Sequence, residues 1–467
     1  MAPAAPRIRF RPGACMISRG GTAAGEAAHE HKVARVAEAL ARCAGRGPVK
    51  LKKRSASHQV PRPGGARRAD ERIDIGALDQ ILSIDPAARL AVAESGVTFS
   101  QLVDATMAYG LCPKVVPELE GITIGGAVSG CSVESSSFRF GGFHDTCVEY
   151  EVVTGKGDVL VCRPHDERGL LFQMLHGTFG TLGILSKLTF ELMPAKPFVK
   201  VSYERHDDLA GLKRAIAAHA DAGDVDFLDG IIHGPREHVL AVARFVDEAP
   251  YTNRYDWTKV YYRSTRERAH DYLRTRDYFF RYDRGVTNVH PKSFLGRLLL
   301  GKFLGSSRIM RLGHALSGLG GFLGGERPDV TLDVFLPFSR ADDYFSWHER
   351  ELGHFPLWCV PYRRVRDYEW LSPAFYRGFD DPMFLDVAIY GMKQREGGPD
   401  AYRLIESRLM ELGGLKTLIS HNRYSPDEFW SIWNKPNYDA CKALVDPDNV
   451  FRDLYTKTCR ASQGHAG

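Results

Sequence analysis

Residues 111–145 read LCPKVVPELEGITIGGAVSGCSVESSSFRFGGFHD, and the fold turns on how this stretch is understood. Between positions 121 and 183 glycine fills 12 of 63 places, about 19% against the ~7% of an average chain. Glycine at that density lets the backbone take positive φ and lets N–H groups come close to a ligand. Thr123-Ile124-Gly125-Gly126 offers consecutive amides that could form an anion-binding nest for a diphosphate. Turns that merely close strands would need the same glycines.

Around this stretch the pattern is one of short strands, glycine turns and short helices. Leu90–Glu94 reads as a strand and Thr98–Tyr109 as a helix closed near Gly110. Val148–Thr154 and Val159–Cys162 flank Gly155-Lys156-Gly157-Asp158, a hairpin signature. Alternating Ile184, Ser186, Leu188, Phe190 and Leu192 make a further strand ended at Pro194. Upstream, Val33, Val36, Ala37 and Leu40 form one apolar stripe of a helix over 24–43, stopped by Gly45 and Gly47. The order is that of an α+β module rather than a series of βαβ repeats.

The chain has 467 residues, which at roughly 150 per domain suggests two or three units. We divide it into a basic tail and helix (1–45), a glycine-rich domain (46–197), a second domain (198–440) and a C-terminal segment returning to the first (441–467). All six tryptophans lie in 198–440, as suits a domain with a large apolar cavity. Hydrophobic residues at 44% and charged residues at 25% describe a soluble globular chain. No run of 18 apolar residues is long enough to span a bilayer.

Charge is uneven. Residues 1–68 carry 15 Lys/Arg and 3 Asp/Glu, so the net +5 of the whole hides an acidic remainder. A basic N-terminus suits an anionic membrane surface or is simply a solvated arm. No zinc-finger spacing or RNP-like aromatic motif accompanies it, which sets nucleic acid aside. Met16 is a possible alternative start. Nine cysteines without C-x-x-C, and no signal-peptide core, predict free thiols in a reducing compartment and no metal site. Residues 291–325 hold five Lys/Arg, no acid, and apolar groups such as Phe294, Leu298 and Phe303. That mixture predicts a peripheral contact with anionic lipid, or else a core helix with a basic edge.

Other nucleotide motifs fail. No G-x-G-x-x-G occurs, and Gly296-x-x-x-x-Gly301-Lys302 has Phe303 where a P-loop needs Ser or Thr. There is no G-x-S-x-G elbow and no H-E-x-x-H.

Pro117, Thr123-Ile124-Gly125-Gly126, Gly130, Gly141, the hairpin and Gly180-Thr181-Leu182-Gly183-Ile184 together resemble the PCMH-type FAD-binding domain of the vanillyl-alcohol-oxidase superfamily. Pro117-Glu118-Leu119, Ser135-Ser136-Ser137, Pro194-Ala195-Lys196, Leu357-Trp358-Cys359 and Asp427-Glu428-Phe429-Trp430 narrow the likeness to its delta(24)-sterol reductase (Diminuto-like) branch. Tyr262-Arg263-Ser264, Asp277-Tyr278-Phe279 and Asp446-Pro447-Asp448 are also similar to bacterial 10-methylene-fatty-acyl reductases. Where many such flavoproteins have a glycine-rich first phosphate loop with a flavin-linking His, this chain has Lys52-Lys53-Arg54-Ser55-Ala56-Ser57-His58. Non-covalent FAD is the expectation, with His58 an ordinary polar contact.

The resemblance implies a PCMH-type FAD domain with an α+β substrate cap. It implies NADPH as donor, FAD as carrier and an isolated lipid C=C bond as acceptor, in a cytoplasmic, peripherally membrane-associated enzyme. A flavin-dependent alcohol or sugar oxidase of the same superfamily is the alternative, and a lipid carrier without flavin a third. For FAD we expect Thr123, Ile124, Gly125, Gly126, Ala127, Val128, Ser129, Gly130, Cys131, Ser132, Val133, Glu134 and Ser135, with Gly180, Thr181, Gly183 and Ile184 as a second wall. An unactivated alkene cannot hold a carbanion, so saturation needs a well-placed proton donor in a dry site. Tyr424, Arg423 and His421 in the run SHNRY, and Tyr362 near Cys359, are the candidates to orient or donate; a hydrogen-bonded loop is the plainer reading of that run.

Overall fold

Residues 23–54, 70–255, 259–283, 329–375 and 380–463 are described here, from a computed structural model. The segment 291–325, Met16 and His58 lie outside them.

A six-stranded antiparallel sheet forms the first unit, from β3 (Ile81–Asp85), β4 (Leu90–Glu94), β5 (Leu111–Pro113), β6 (Cys147–Val153), β7 (Val159–Cys162) and β8 (Ile184–Pro194). The order is β3-β4-β8-β6-β7, with β5 paired to the far end of β8. The eleven residues of β8 make it the spine, because Leu185, Leu188, Phe190 and Leu192 all enter the core. Helix Phe99–Met107 starts on a capping box in which Thr98 and Gln101 satisfy each other's backbone donors. It buries Phe99, Leu102 and Val103 on the same core. Burying each such side chain contributes about 1.5–3 kcal/mol.

Beside this sheet lies a parallel pair, β1 (Val49–Lys52) and β2 (Glu71–Asp74). Helix Ala23–Ala41 closes over them, its stripe of Val33, Val36 and Leu40 meeting Ile73, Val153, Ile184 and Phe451. Gly45 and Gly47 take φ of +72° and +95° just beyond it, the conformation only glycine adopts freely. His29 on this helix is buried between Glu94 Oε1 at 2.9 Å and Glu151 Oε1 at 2.8 Å.

The second unit is an eight-stranded antiparallel sheet: β9 (Phe198–His206), β10 (Phe227–Gly234), β11 (Glu237–Val246), β12 (His270–Arg274), β13 (Val330–Pro337), β14 (Leu357–Arg363), β15 (Met383–Met392) and β16 (Leu415–Lys416). Its order is β12-β9-β11-β10-β14-β15-β13-β16. The period of two sorts its side chains cleanly. Val334, Leu336, Leu385, Val387 and Ile389 face helices Leu209–Ala222, Ala341–Glu351 and Ala401–Leu412, and form a core of their own. Trp358, Val360, Tyr362, Phe384, Ala388 and Tyr390 point the other way and join the core of the first sheet. The fold is therefore α+β, with the two units packed face to face.

The chain then returns. Helices Lys435–Val445 and Leu454–Thr458 pack on the first unit, where Lys442 Nζ donates to the Thr181 carbonyl at 3.0 Å and Lys457 Nζ to that of Phe179 at 2.5 Å. Arg452 grips Asp70 through both guanidinium nitrogens. Among the described residues no helix is long and apolar enough to cross a membrane.

Candidate functional site

Two glycine-rich loops meet at the surface the first unit turns towards the second. Helix Ile124–Ser129 is capped by Thr123, whose hydroxyl accepts from the Gly126 N–H at 3.3 Å. The loop after it turns through Cys131 at φ +53°, a left-handed conformation that costs a side-chain-bearing residue about 1–2 kcal/mol. The second loop, 177–183, runs alongside. The Gly177 N–H donates to the Val128 carbonyl at 3.3 Å and that of Phe179 to Ser129 at 3.1 Å. Two segments read separately in the sequence are thus hydrogen-bonded neighbours.

One expectation about the first loop is corrected. The amides of 124–127 form no open nest, because each already has an acceptor. Ile124 donates to Val97, Gly125 to Ser95, Gly126 to the Thr123 hydroxyl and Ala127 to the Thr123 carbonyl. Gly125 is there for packing: a Cβ would sit 2.6 Å from that of Ser95. Loss of FAD on Gly125→Asp would report a broken fold before it reported a phosphate contact.

Between the units lies a cleft enclosing about 690 Å³ of space outside protein atoms, open solvent at its mouth included. One wall is backbone and small side chains: Gly130, Cys131, Val133 and Gly177, with Phe179 at the edge. The opposite wall is built from strands far apart in sequence. Tyr362 of β14 pairs with Phe384 of β15, Phe335 of β13 with Leu415 of β16, and all four side chains line the cleft. Trp370, Leu371, Phe375, Leu418 and Trp433 complete it. Tyr368 stacks on Trp370 with ring centres 5.3 Å apart.

Few polar groups enter this apolar space. The Tyr362 and Tyr368 hydroxyls are hydrogen-bonded to each other, and Tyr368 donates on to Asp145 Oδ2 at 2.9 Å. Asp145 belongs to the first unit, on the short turn Phe143–Thr146, and also receives the Gly142 N–H at 2.9 Å. Arg366 Nε lies 3.4 Å from its other oxygen. Burial pushes both tyrosine hydroxyls well above the ordinary phenol range. His144 lines the cleft with its imidazole held down by burial and therefore neutral. Lys416 is fully buried. Its Nζ donates to the His421 carbonyl at 2.7 Å and Asn422 Oδ1 at 2.6 Å, and lies 3.3 Å from Glu406 Oε1. Burial lowers the pKa of Lys416 and raises that of Glu406.

The sequence candidates separate. Tyr362, Gly130, Cys131 and Val133 line the cleft. His421, Arg423 and Tyr424 are not among the lining residues. Arg423 is committed to Asp400 at 2.9 Å and to the Ser462 carbonyl at 2.9 Å. His421 packs on Tyr402, and burial with the nearby Arg423 and Lys416 lowers it to about 4. Tyr424 is wholly buried against Trp433. In the second loop, Thr181 donates to the Thr178 carbonyl behind the cleft, and Ile184 faces the cluster under helix Ala23–Ala41. Gly183 packs on Val152, where a Cβ would meet Cγ2 at 2.6 Å. His144, Asp145, Tyr368, Trp370, Lys416, Gly177 and Phe179 were not anticipated. Gly177 and Phe179 lie beside the glycine block already noticed, and His144 and Asp145 close the stretch 111–145, whereas Tyr368, Trp370 and Lys416 carry no local signal.

A flat conjugated ring with polar edges fits this cleft. Backbone faces aromatic side chains across it, and three buried ring nitrogens, His144 Nδ1 and Nε2 and Trp370 Nε1, make no hydrogen bond within the described residues. Such atoms are costly to leave unpaired, and a ring nitrogen or carbonyl would satisfy them. Among the described residues no group of His, Cys, Asp or Glu is arranged to hold a metal, and the eight described cysteines are all free.

Residues 30–163 match the family described as FAD binding domain. Over 424 residues the chain is 24% identical to the Delta(24)-sterol reductase homolog dhcr-24 of Caenorhabditis elegans, covering 84% of this chain and 79% of that protein. Delta(24)-sterol reductase of Homo sapiens is 23% identical over 424 residues, 86% of this chain and 80% of that protein. Decaprenylphosphoryl-beta-D-ribose oxidase of Mycolicibacterium smegmatis is 29% identical over 180 residues, 37% of this chain and 38% of its own. The chain thus carries a PCMH-type FAD-binding domain and is, over most of its length, a homologue of proteins named Delta(24)-sterol reductase.

Proposed function

We propose that the protein is an FAD-dependent reductase of an isolated carbon–carbon double bond in a lipid, with NADPH as electron donor. The cleft carries this reading, since its second wall is aromatic and aliphatic and suits a hydrocarbon chain better than a sugar. Bound FAD supplies two-electron hydride chemistry. The chain's own residues do the rest. Phe335, Phe384, Leu415 and Leu418 exclude water from the reacting carbons, and hydroxyl groups stand at the polar end of the same wall. Gly130, Cys131, Val133 and Gly177 present the surface on which a planar ring can lie.

Association with an anionic membrane surface from the cytoplasmic side, through the basic, apolar segment 291–325, belongs to the same proposal. It gives a water-exposed enzyme access to an alkene embedded in lipid. FAD is held without a covalent bond, so acid precipitation should release all of it.

The decisive experiment is anaerobic. NADPH should bleach the flavin, and a sterol with a 24,25 double bond or a phospholipid with a 10-methylene acyl chain should restore its colour. Rapid return of colour with air alone, and none with either lipid, would establish an oxidase instead.

A further inference from the structure

We propose that Tyr362 delivers the proton that completes alkene saturation, and that Tyr368 and Asp145 form a relay restoring it across the boundary between the two units. The inference rests on the reductase reading above and names its proton source. Tyr362 and Tyr368 both line the cleft, so either hydroxyl can touch a bound lipid. Asp145 does not line the cleft; it meets the lining residues through Tyr368, and through His144, whose Nε2 lies 3.3 Å from its Oδ2, which makes it a positioning residue. Its side chain is fully buried, whereas that of Arg366 beside it is 31% exposed and leads to solvent.

A hydroxyl has one proton, and that fixes the direction of the chain. Tyr368 gives its proton to Asp145, leaving its oxygen to accept from Tyr362. At rest the protons therefore point along the chain towards Asp145. Saturation adds a hydride, taken from the reduced cofactor that is oxidised thereby, to one alkene carbon. The other carbon takes the Tyr362 proton, so an O–H bond breaks as a C–H bond forms. Tyr368 then turns its proton to the Tyr362 oxygen. Asp145 keeps the Gly142 N–H and Arg366; its carboxylate takes a proton from solvent on the Arg366 side and hands it to the Tyr368 oxygen, ending as the carboxylate it began as. The high proton affinity that burial gives both hydroxyls keeps them protonated until a cation develops on the alkene. Because Asp145 lies on one unit and both tyrosines on the other, the relay exists only when the units are docked.

Two measurements on the flavin-loaded protein test this. In anaerobic single turnover, Tyr362→Phe should slow reoxidation by alkene on the order of 100-fold, the lower range for a general acid. Tyr368→Phe should slow it about tenfold, roughly the worth of one hydrogen bond. Tyr344→Phe removes an equally buried hydroxyl in the other core and should change nothing. In fluorotyrosine-labelled protein without substrate, the fluorine resonance lost in Tyr368→Phe should shift in Tyr362→Phe and in Asp145→Asn, but not in Tyr344→Phe. Full-rate reoxidation of Tyr362→Phe, or an unmoved Tyr368 signal, overturns the relay while leaving the reductase reading intact. If neither lipid probe reoxidises the wild-type flavin, the reductase reading falls, and the relay's role as proton source falls with it.

Discussion

The two walls of the cleft are made in opposite ways. On the first unit the wall is backbone, placed by residues within two short loops, and its shape depends on what is absent from Gly130 and Gly177. On the second it is side chains, gathered from β13 to β16 across more than eighty residues of sequence. The first wall, made of backbone and small side chains, suits a planar ring. The second can change its lipid by changing single side chains without disturbing the strands that carry them. Damage should therefore differ as well: steric on the first wall, electrostatic or chemical on the second.

The largest effect should come from Lys416. Lys416→Ala leaves Glu406 and two polar acceptors buried without their cation, at a cost of about 3–5 kcal/mol in denaturant unfolding. Adding Glu406→Gln should recover a good part of the loss. An unaltered midpoint for Lys416→Ala would mean the second wall is not held by charge.

Behind the first wall, Gly125→Ala should cost about 1–3 kcal/mol by overpacking against Ser95. Ser95→Gly in the same chain should return some of it, though the Ser95 carbonyl, 3.0 Å from the added carbon, would still resist. If Gly125→Ala folded normally and lost only FAD, Gly125 would be a ligand contact rather than part of a packing seam.

Titration distinguishes the outer edge of the first unit. Burial disfavours charge on His29, but hydrogen bonds to Glu151 and Glu94 outweigh it and raise the imidazole to about 8. Burial likewise opposes charge on Glu151, and its bonds to His29 and Ser186 with nearby Lys187 bring it down to about 2. The raised imidazole contributes stability that is complete below its unfolded value and is lost as pH climbs from about 6.5 to 8. The lowered carboxylate contributes stability that is complete above about 4.5 and is lost towards 2. Unfolding free energy should fall by about 1–2 kcal/mol between pH 6.5 and 8, and His29→Gln should flatten that slope.

The smallest change is Gly180→Ala. This glycine has φ of +70° but open space around it, its nearest neighbour being the Gly183 carbonyl at 3.6 Å. Backbone strain alone should cost about 1 kcal/mol, clearly less than at Gly125. Equal losses at the two sites would erase the distinction between a turn glycine and a packing glycine.

The contrast between the walls also explains what the sequence could tell. Helix Ala23–Ala41, the helix capped by Thr98, the β6–β7 hairpin and β8 all follow from local periodicity, caps and turns, and were readable. So were Gly130, Cys131 and Val133, which sit in a conspicuous glycine run. Tyr368, Asp145 and Lys416 were not, since what unites them is the register of distant strands and the docking of one unit on another. Tyr362, singled out as a tyrosine near Cys359, lines the cleft. His421, Arg423 and Tyr424 look catalytic in the string SHNRY because polar clusters do. Arg423 is spent on Asp400 and Ser462, His421 faces Tyr402, and Tyr424 is sealed behind Trp433.

The clasp on the second glycine loop has a consequence for biosynthesis. The carbonyls of Phe179 and Thr181 accept from lysines 278 and 261 residues further along the chain. A ribosome finishes the first sheet long before it makes either lysine. The loop beside the cleft must therefore wait, unlatched, through the whole synthesis of the second sheet, and cofactor capture becomes a late event in maturation. A message truncated just upstream of Tyr438 would encode every strand of both sheets and still yield a colourless protein.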